Sequence, residues 1–399
     1  EISACLVGSE MCIRDRENGA LGRVATTDDG VAGLIVTGKA VAEKLDLNKV
    51  YLFSGTRDLT TYGITEEENP LLCKEITAFY EQAGDGAELY VLVVSEATTL
   101  TQMCSVDDGS PLKKLIDYAA GRIRLVGINK LPPAEYEADT AQGIDGDVIT
   151  AVAAAQNIAE AYQDKINPFR LLLPAILWSG STESLFKPRE GSYNRVGLVL
   201  AADKIIGETA SPAVAQVLGR AAKIAVNYSV ARVKDGTIAA SGFLADGKTP
   251  EEHAGMLDAL HDAGYIFYRT FVGKNGYYLN DDCMAAPLAD DYSNLNLGRV
   301  IDKAIVIAYG AYVDEIQDSI EVDDNGQLPQ YLCTYFEGNM ENAVAANMQE
   351  EISDFECFID PEQNILSTGV MNVSCKIVPK GILKEINVTL GFDNPALKV

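Results

Sequence analysis

The residues with the sharpest chemical pattern are 242–249, which match the phosphate-binding pattern G-x-x-x-x-G-K-[ST]. Such a loop binds phosphate with backbone N–H groups, its lysine and the start of the next helix. Here Asp246 would place a carboxylate beside the phosphate, and Pro250 favours a helix that begins after the motif. A glycine-rich turn capped by Thr249 is the simpler interpretation. A nucleotide-binding α/β enzyme that uses Gly242–Thr249 remains the alternative.

The other residues that could do chemistry are isolated. The two histidines, His253 and His261, fall in one predicted helix at 250–263 and are too far apart to share a metal ion without further ligands. Ser211 and Ser241 lack the G-x-S-x-G pattern of a nucleophile elbow. We therefore predict no catalytic residue, no metal site and no cofactor.

The composition narrows the possible partners. The chain has 399 residues and a formal net charge of −26, and such a surface repels nucleic acid phosphates. Its longest apolar run, Leu171–Trp178, is far shorter than the roughly 18 residues of a membrane span. The eight cysteines form no CxxC pair and indicate reduced thiols in a cytoplasmic protein. We expect no direct contact with nucleic acid and no membrane insertion.

Apolar strands and amphipathic helices alternate along most of the chain. Leu89–Val94 is typical of a buried strand, and Asn69-Pro70 begins a helix that continues to Ala83. Further helices are predicted at 147–162, 298–316 and 341–352, and a strand at 265–272. This order predicts an α/β fold with mixed, partly parallel sheets, flanking helices in two or three lobes and a C-terminal β arm.

We predict four segments. Residues 17–190 form an N-terminal α/β lobe, 191–355 a second α/β lobe, and 356–399 the C-terminal strands and an inter-subunit arm. Residues 1–16 do not begin with Met and resemble translated read-through of a sequencing adapter. We interpret them as a non-native scar and exclude their two cysteines from all site arguments.

The last residues alternate between apolar and polar side chains with a period of two, which is typical of strands with one buried face. The first run covers 371–377 and the second contains Ile386, Val388, Leu390 and Phe392. The turn between them permits an antiparallel pair. Two strands alone are marginally stable in water, so they need a sheet to join. We predict that the second run is donated to a neighbouring subunit.

The stretch from Gly264 to Ala304 resembles the tail sheath proteins of contractile phage tails and related injection systems. The matching residues are Arg269-Thr270-Phe271, Gly276-Tyr277-Tyr278, Asp291-Tyr292 and Arg299-Val300-Ile301-Asp302-Lys303. The likeness covers most of residues 17–399, and it is closest to the sheath-like proteins of Bacteroidales phages and prophages.

This resemblance implies a non-enzymatic structural protein without cofactors. It would polymerise helically around a tail tube and contract to drive the tube through a cell envelope. The implied partners are other copies of the chain, the tail tube protein, and baseplate and tail terminator proteins. The implied location is the virion tail, after assembly in the cytoplasm of the bacterial host. A baseplate or tube-associated protein with a sheath-like domain is a further possibility.

Overall fold

A computed structural model describes residues 29–133 and 135–392, so residues 1–16, interpreted as a scar, lie outside the described residues. The strands are β1 (Ala32–Thr37), β2 (Val50–Phe53), β3 (Leu89–Val94), β4 (Leu125–Asn129), β5 (Arg170–Pro174), β6 (Val196–Val199), β7 (Ala201–Ile206), β8 (Thr209–Pro212), β9 (Phe243–Leu244), β10 (Tyr265–Ile266), β11 (Tyr268–Arg269), β12 (Tyr278–Leu279), β13 (Ile352–Ile359) and β14 (Val373–Pro379). The helices are α1 (Arg57–Thr61), α2 (Pro70–Ala83), α3 (Leu100–Met103), α4 (Pro111–Ala119), α5 (Gly146–Gln163), α6 (Val214–Lys223), α7 (Leu257–Ala263), α8 (Leu295–Tyr312), α9 (Gln330–Met348) and α10 (Ile365–Thr368).

A seven-stranded sheet forms the centre, in the order β10-β6-β5-β4-β1-β3-β2. All neighbours in it are parallel except the edge strand β2, which runs antiparallel to β3. Every residue of β1 and β3 is buried, as expected for parallel strands covered on both faces. The predicted α/β fold with a partly parallel sheet and flanking helices is confirmed.

Helices cover both faces of this sheet. Ile35 faces a core that includes side chains of α3, α4 and α5, whereas Leu34 and Val36 face a second core that includes side chains of α2 and α6. The boundary predicted between the N-terminal lobe, which ends at residue 190, and the second lobe, which begins at residue 191, stays a prediction. The two strands β6 and β10, which lie beyond that limit, belong to the same sheet as β1–β5.

The C-terminal part has a separate core. Side chains of α8, α9, β13 and β14 pack around Phe336, Met340 and Val344. The strands β13 and β14 form an antiparallel two-stranded sheet. In β14, Val373 and Ile377 pack on this core, as the alternation predicted.

Several predicted element bounds are wrong. The strand expected at 265–272 is two short strands, because β10 pairs with β6 and β11 pairs with β12. The helix expected at 250–263 begins only at Leu257, after a series of turns. The helices expected at 298–316 and 341–352 are α8 and the much longer α9, respectively. Within the described ranges, no helix has both the length and the apolarity needed to cross a membrane.

Candidate subunit interface at the C-terminal segment

The strand β14 pairs with an upstream strand rather than with the residues that follow it. Cys375 lies opposite Cys357, and the register runs from Ile359 opposite Val373 to Ile352 opposite Pro379, with a bulge near Asp354. The antiparallel pair that the turn permits between 371–377 and the second apolar run is therefore not formed in this chain. Alternation predicts a strand for both runs, but it carries no information on which strand each one pairs with.

The residues after β14 form what we call the C-terminal segment, 380–392. It contains no regular secondary structure in this single chain. Its four apolar side chains are strongly exposed: Ile386 at 74%, Val388 at 71%, Leu390 at 90% and Phe392 at 109%. A row of apolar side chains this exposed is unusual on a soluble protein and marks a surface that fits an interaction.

One side chain ties the start of the C-terminal segment to the body of the protein. The Nζ atom of Lys384 donates to Oδ2 of Asp281 at 2.6 Å and to Oδ1 of Asn294 at 3.3 Å. Asp281 follows β12 closely, and Asn294 is the N-cap residue of α8. We call these three residues the anchor. They fix the position from which the exposed apolar side chains extend.

The buried carboxylate of the anchor, Asp281, lies next to a second buried carboxylate, Asp282. Burial alone would raise the pKa of Asp281, but the hydrogen bond and the charge of Lys384 lower it below the usual value. For Asp282, burial and then the neighbouring charge of Asp281 raise the pKa to about 6. The side chain of Asp282 accepts hydrogen bonds from the Asn294 side chain at 2.8 Å and the Asn296 N–H at 3.2 Å. These bonds join the anchor to the first turn of α8.

Three potential metal ligands lie beside the anchor. Atoms of His261, Asp281 and Cys283 are within 4.8 Å of one another. Cys283 Sγ already accepts a hydrogen bond from Arg189 at 2.9 Å, and Asp281 is paired with Lys384. Burial also raises the pKa of the Cys283 thiol well above its usual value, which opposes the thiolate that a metal needs. Two cationic side chains and a protonated thiol make this a poor cation site.

The helix motif behind the resemblance forms a buried ionic joint. In α8, the Asp302 carboxylate accepts hydrogen bonds from Arg170 Nε at 2.7 Å and from Arg195 at 3.1 Å. Lys303 pairs with Asp29 at 2.5 Å and with Glu351 at 2.8 Å. Burial alone would raise the pKa of Asp302, but the charges of Arg170 and Arg195 hold it below its usual range. This joint connects the C-terminal core to β5 of the central sheet.

A glycine makes the approach of α8 to the central sheet possible. A Cβ atom on Gly298 would lie 2.5 Å from Cζ of Arg170, a distance that side chains do not tolerate. Arg170 also donates to the Gly298 carbonyl at 3.1 Å. The buried arginine is thus clamped against the helix backbone.

The hairpin motif behind the resemblance has an aromatic surface. The ring of Phe271 lies 5.2 Å from that of Tyr278 in an edge-to-face arrangement, and the Arg269 guanidinium lies 4.4 Å from the Phe271 ring. Gly276 has φ of +75°, a left-handed conformation that favours glycine in the turn. The residues of the motif therefore contribute to the local packing and the turn between β11 and β12.

Residues 242–249 do not form a phosphate-binding loop. The N–H groups of Gly247, Lys248 and Thr249 donate to the Leu244 carbonyl, Asp246 and Glu252 within the same turn. The exposed Lys248 Nζ lies 3.9 Å from Asp246. The Glu252 N–H donates back to the Thr249 hydroxyl, so the two residues form a reciprocal cap. Three of the backbone donors that would bind phosphate are thus already used, which argues against the nucleotide-binding alternative.

The two histidines lie in different surroundings. His253 precedes α7, and its Nε2 atom lies 2.7 Å from Oδ2 of Asp246, with the Trp178 ring 4.9 Å away. His261 lies in α7, and burial lowers its pKa. The expectation that both occupy one helix is wrong, because residues 250–256 form turns.

Several solved structures with a similar fold are described as sheath proteins. The helical sheath of the anti-feeding prophage in its contracted state shares 14% identity, with a TM-score of 0.65 over 97% of this chain and 100% of that one. The sheath complex of an extracellular contractile injection system, PVC, shares 12% identity, with a TM-score of 0.58 over 98% and 99%. A sheath tail protein from Desulfitobacterium hafniense shares 11%, with a TM-score of 0.52 over 94% and 100%.

Two family models match the sequence and together cover most of it. Residues 14–283 match the N-terminal domain of DUF2586, and residues 291–397 match its C-terminal domain. A comparison with curated proteins gave no match. The protein therefore belongs to the DUF2586 family.

Proposed function

We propose that this protein is a structural subunit of a contractile tail sheath, which polymerises helically around a tail tube. The observation that carries the proposal is a fold shared over nearly the whole of both chains with sheath subunits of two contractile assemblies. Contraction would drive the tube through a cell envelope. The protein is not an enzyme under this proposal.

The second part of the proposal concerns the C-terminal segment. Ile386, Val388, Leu390 and Phe392 form one face of a strand that pairs with a neighbouring copy. Their exposure supports this, because a strand that completes a sheet elsewhere leaves its apolar face uncovered in the isolated chain. The receiving sheet is β13–β14 of the neighbour. No further strand lies beside either of its edges in the part of the chain that the structure describes.

Pairing of this kind suits a polymer that must move without coming apart. Backbone hydrogen bonds across a sheet edge hold a donated strand with little dependence on the side chains around it. The bodies of the subunits can then rotate while the strand acts as a hinge. A contracted lattice of lower free energy than the extended one drives the change, so no nucleotide is consumed.

The partners and location follow from the same proposal. The chain contacts other copies of itself, the tail tube protein, and baseplate and tail terminator proteins. We propose that it resides in the virion tail after assembly in the bacterial cytoplasm, and that it belongs with the sheath-like proteins of Bacteroidales phages and prophages, which it resembles at Gly264–Ala304. One solved relative with the same fold belongs to a baseplate of the anti-feeding prophage, at 14% identity and a TM-score of 0.61.

Negative-stain electron microscopy of the concentrated protein tests the proposal. We expect hollow tubes with a regular helical repeat. Isolated particles at every concentration would contradict self-assembly into a sheath. A binding titration with ATP separates the proposal from the enzyme alternative. We expect no heat of binding for the wild type or for Lys248→Ala, and binding that the substitution abolishes would restore the alternative.

A further inference from the structure

Two cysteines face each other across the C-terminal hairpin. Cys357 in β13 and Cys375 in β14 are directly opposite in the register, and their Sγ atoms are 3.9 Å apart. The flanking pairs, Glu356 with Lys376 and Phe358 with Ser374, hold this register on both sides. We propose that Cys357 and Cys375 are a redox modification site, at which a small-molecule disulfide oxidises the pair to a cross-strand disulfide.

The backbone geometry permits the bond. Directly opposite residues of an antiparallel pair have Cα atoms about 4.5–5.5 Å apart, and disulfides span Cα separations of about 4.4–6.8 Å. The two sulfur atoms already lie on the same face of the hairpin and in contact. Side-chain rotation alone brings them to bonding distance, without movement of either strand.

Access to the two thiols differs. Cys375 is exposed and Cys357 is partly buried, with the Tyr312 hydroxyl 3.8 Å from the Cys357 sulfur. Although Cys375 is exposed as a whole residue, partial burial raises the pKa of its thiol to about 12, with a smaller effect of the neighbouring Cys357, and burial also raises the pKa of the Cys357 thiol. Little thiolate is present at neutral pH, so the reaction is slow there and accelerates as the pH rises.

The chemistry is a thiol–disulfide exchange with oxidised glutathione as the model oxidant. The Cys375 thiolate attacks one glutathione sulfur, forms a mixed disulfide and releases the first glutathione thiolate. The Cys357 thiolate then attacks the Cys375 sulfur and releases the second. The two protein thiols lose two protons and two electrons, and the oxidant takes up both as two glutathione thiols.

The disulfide would hold β13 and β14 together next to the start of the C-terminal segment. It closes a loop that contains α10 and joins the two strands immediately before the chain leaves β14. A closed loop has fewer unfolded conformations, so the hairpin resists separation. A tail particle released from a reducing cytoplasm meets oxidising surroundings, in which the disulfide would form.

Peptide mapping of the full-length protein tests the proposal. The protein is incubated with oxidised glutathione at mildly alkaline pH, blocked with N-ethylmaleimide and digested with a protease that cleaves after glutamate. This protease is needed because Glu362 lies between the two cysteines, whereas no Lys or Arg does. We expect residues 357–362 and 363–385 as one linked species that reductant separates. We also expect a higher melting temperature for the oxidised protein.

Three matched variants make the result decisive. Cys375→Ser abolishes the link and the rise in melting temperature, and Cys357→Ser leaves Cys375 as a mixed disulfide with glutathione. Cys73→Ser, at a partly buried cysteine outside the hairpin, behaves like the wild type. The proposal is overturned if wild-type Cys375 stays unreacted, stops at the mixed disulfide or bridges two chains while Cys357 remains alkylated.

Discussion

Lys384 Nζ lies 2.6 Å from Asp281 Oδ2, although 103 positions separate the two residues in the sequence. The pair attaches the start of the C-terminal segment to the loop that precedes α8. Beyond Lys384, four apolar side chains extend into solvent without a strand partner in the described chain. The molecule thus positions an uncovered apolar segment at a defined point on its surface.

The exposed apolar face is expected to matter for assembly and not for folding. The triple substitution Ile386→Ser, Val388→Ser and Leu390→Ser should change the free energy of unfolding by no more than about 0.5 kcal/mol, the usual range for surface sites. It should leave monomers when the wild type assembles, as measured by size-exclusion chromatography with light scattering. The control replaces Asn387 and Thr389, on the opposite face, with Ser and should assemble normally.

Deletion of residues 383–399 tests whether the whole segment can be removed without loss of folding. We expect folded monomers with an unchanged circular dichroism spectrum, because residues 383–392, the described part of this segment, contribute no side chain to the three buried cores. Loss of the folded state would show that the segment belongs inside its own subunit.

The anchor is expected to position the segment at little gain in stability. Lys384 is 45% exposed, and the buried Asp281 keeps its hydrogen bond from Asn294 and its pairing with Arg189 when the lysine is removed, so the loss should be close to that of an exposed ion pair, about 0.2–1 kcal/mol. Lys384→Ala should therefore destabilise the protein by less than about 1 kcal/mol, while backbone ¹⁵N relaxation shows greater motion across 381–386. Lys376→Ala, at an exposed lysine of β14, is the control and should leave that motion unchanged. Equal motion in both variants would show that Lys384 does not hold the segment.

The joint between α8 and the central sheet is expected to be critical. Asp302→Ala leaves Arg170 and Arg195 buried without their counter-charge, which typically costs about 3–5 kcal/mol. Urea denaturation measures this loss. Asp291→Asn, at an exposed carboxylate nearby, should change stability by less than about 0.5 kcal/mol. A similarly small loss of stability for Asp302→Ala would show that this joint does not stabilise the protein.

The stability of the protein is expected to depend on the protonation of Asp282. Its pKa is raised to about 6, so the folded state holds this proton more tightly than the unfolded chain does. The resulting stability is fully present below about pH 4 and is lost as the pH rises through 6, a change of about 2–3 kcal/mol at 1.36 kcal/mol per pKa unit. The pKa of Asp281 is lowered instead, so its contribution to stability is present above about pH 4 and is lost as the pH falls further.

Denaturation at a series of pH values measures this change. Asp282→Asn removes the titrating group, so its unfolding free energy should lack the decrease between about pH 4 and 7 that the wild type shows. An identical pH profile for the two proteins would mean that Asp282 does not titrate in that range.

Local sequence signals predicted much of the central fold. The apolar run Leu89–Val94 and the helix that begins at Pro70 appear at the expected positions, because burial on both faces and a proline at the first helical turn leave clear patterns. The helix predicted at 341–352 covers only the last turns of α9, because the residues from Gln330 onwards have little amphipathic pattern. Helix limits set by weak amphipathicity are harder to predict.

The anchor and the hairpin register were beyond sequence reasoning. Alternation predicts a strand at 371–377, but it does not indicate which other strand pairs with it. The structure pairs this run with β13. The contact of Lys384 with Asp281 joins residues remote in sequence, and an isolated lysine gives no signal of its partner. The adjacent Asp281 and Asp282 were visible in the sequence, but only the fold shows that they are buried.

Electron cryo-microscopy of the assembled protein can show directly whether the C-terminal segment is donated. We expect density for residues 386–392 of one subunit as a strand beside β13 or β14 of another subunit, with the apolar face covered. Density that places this segment in the sheet of its own subunit, or leaves it unpaired within an ordered tube, would show that no strand is donated.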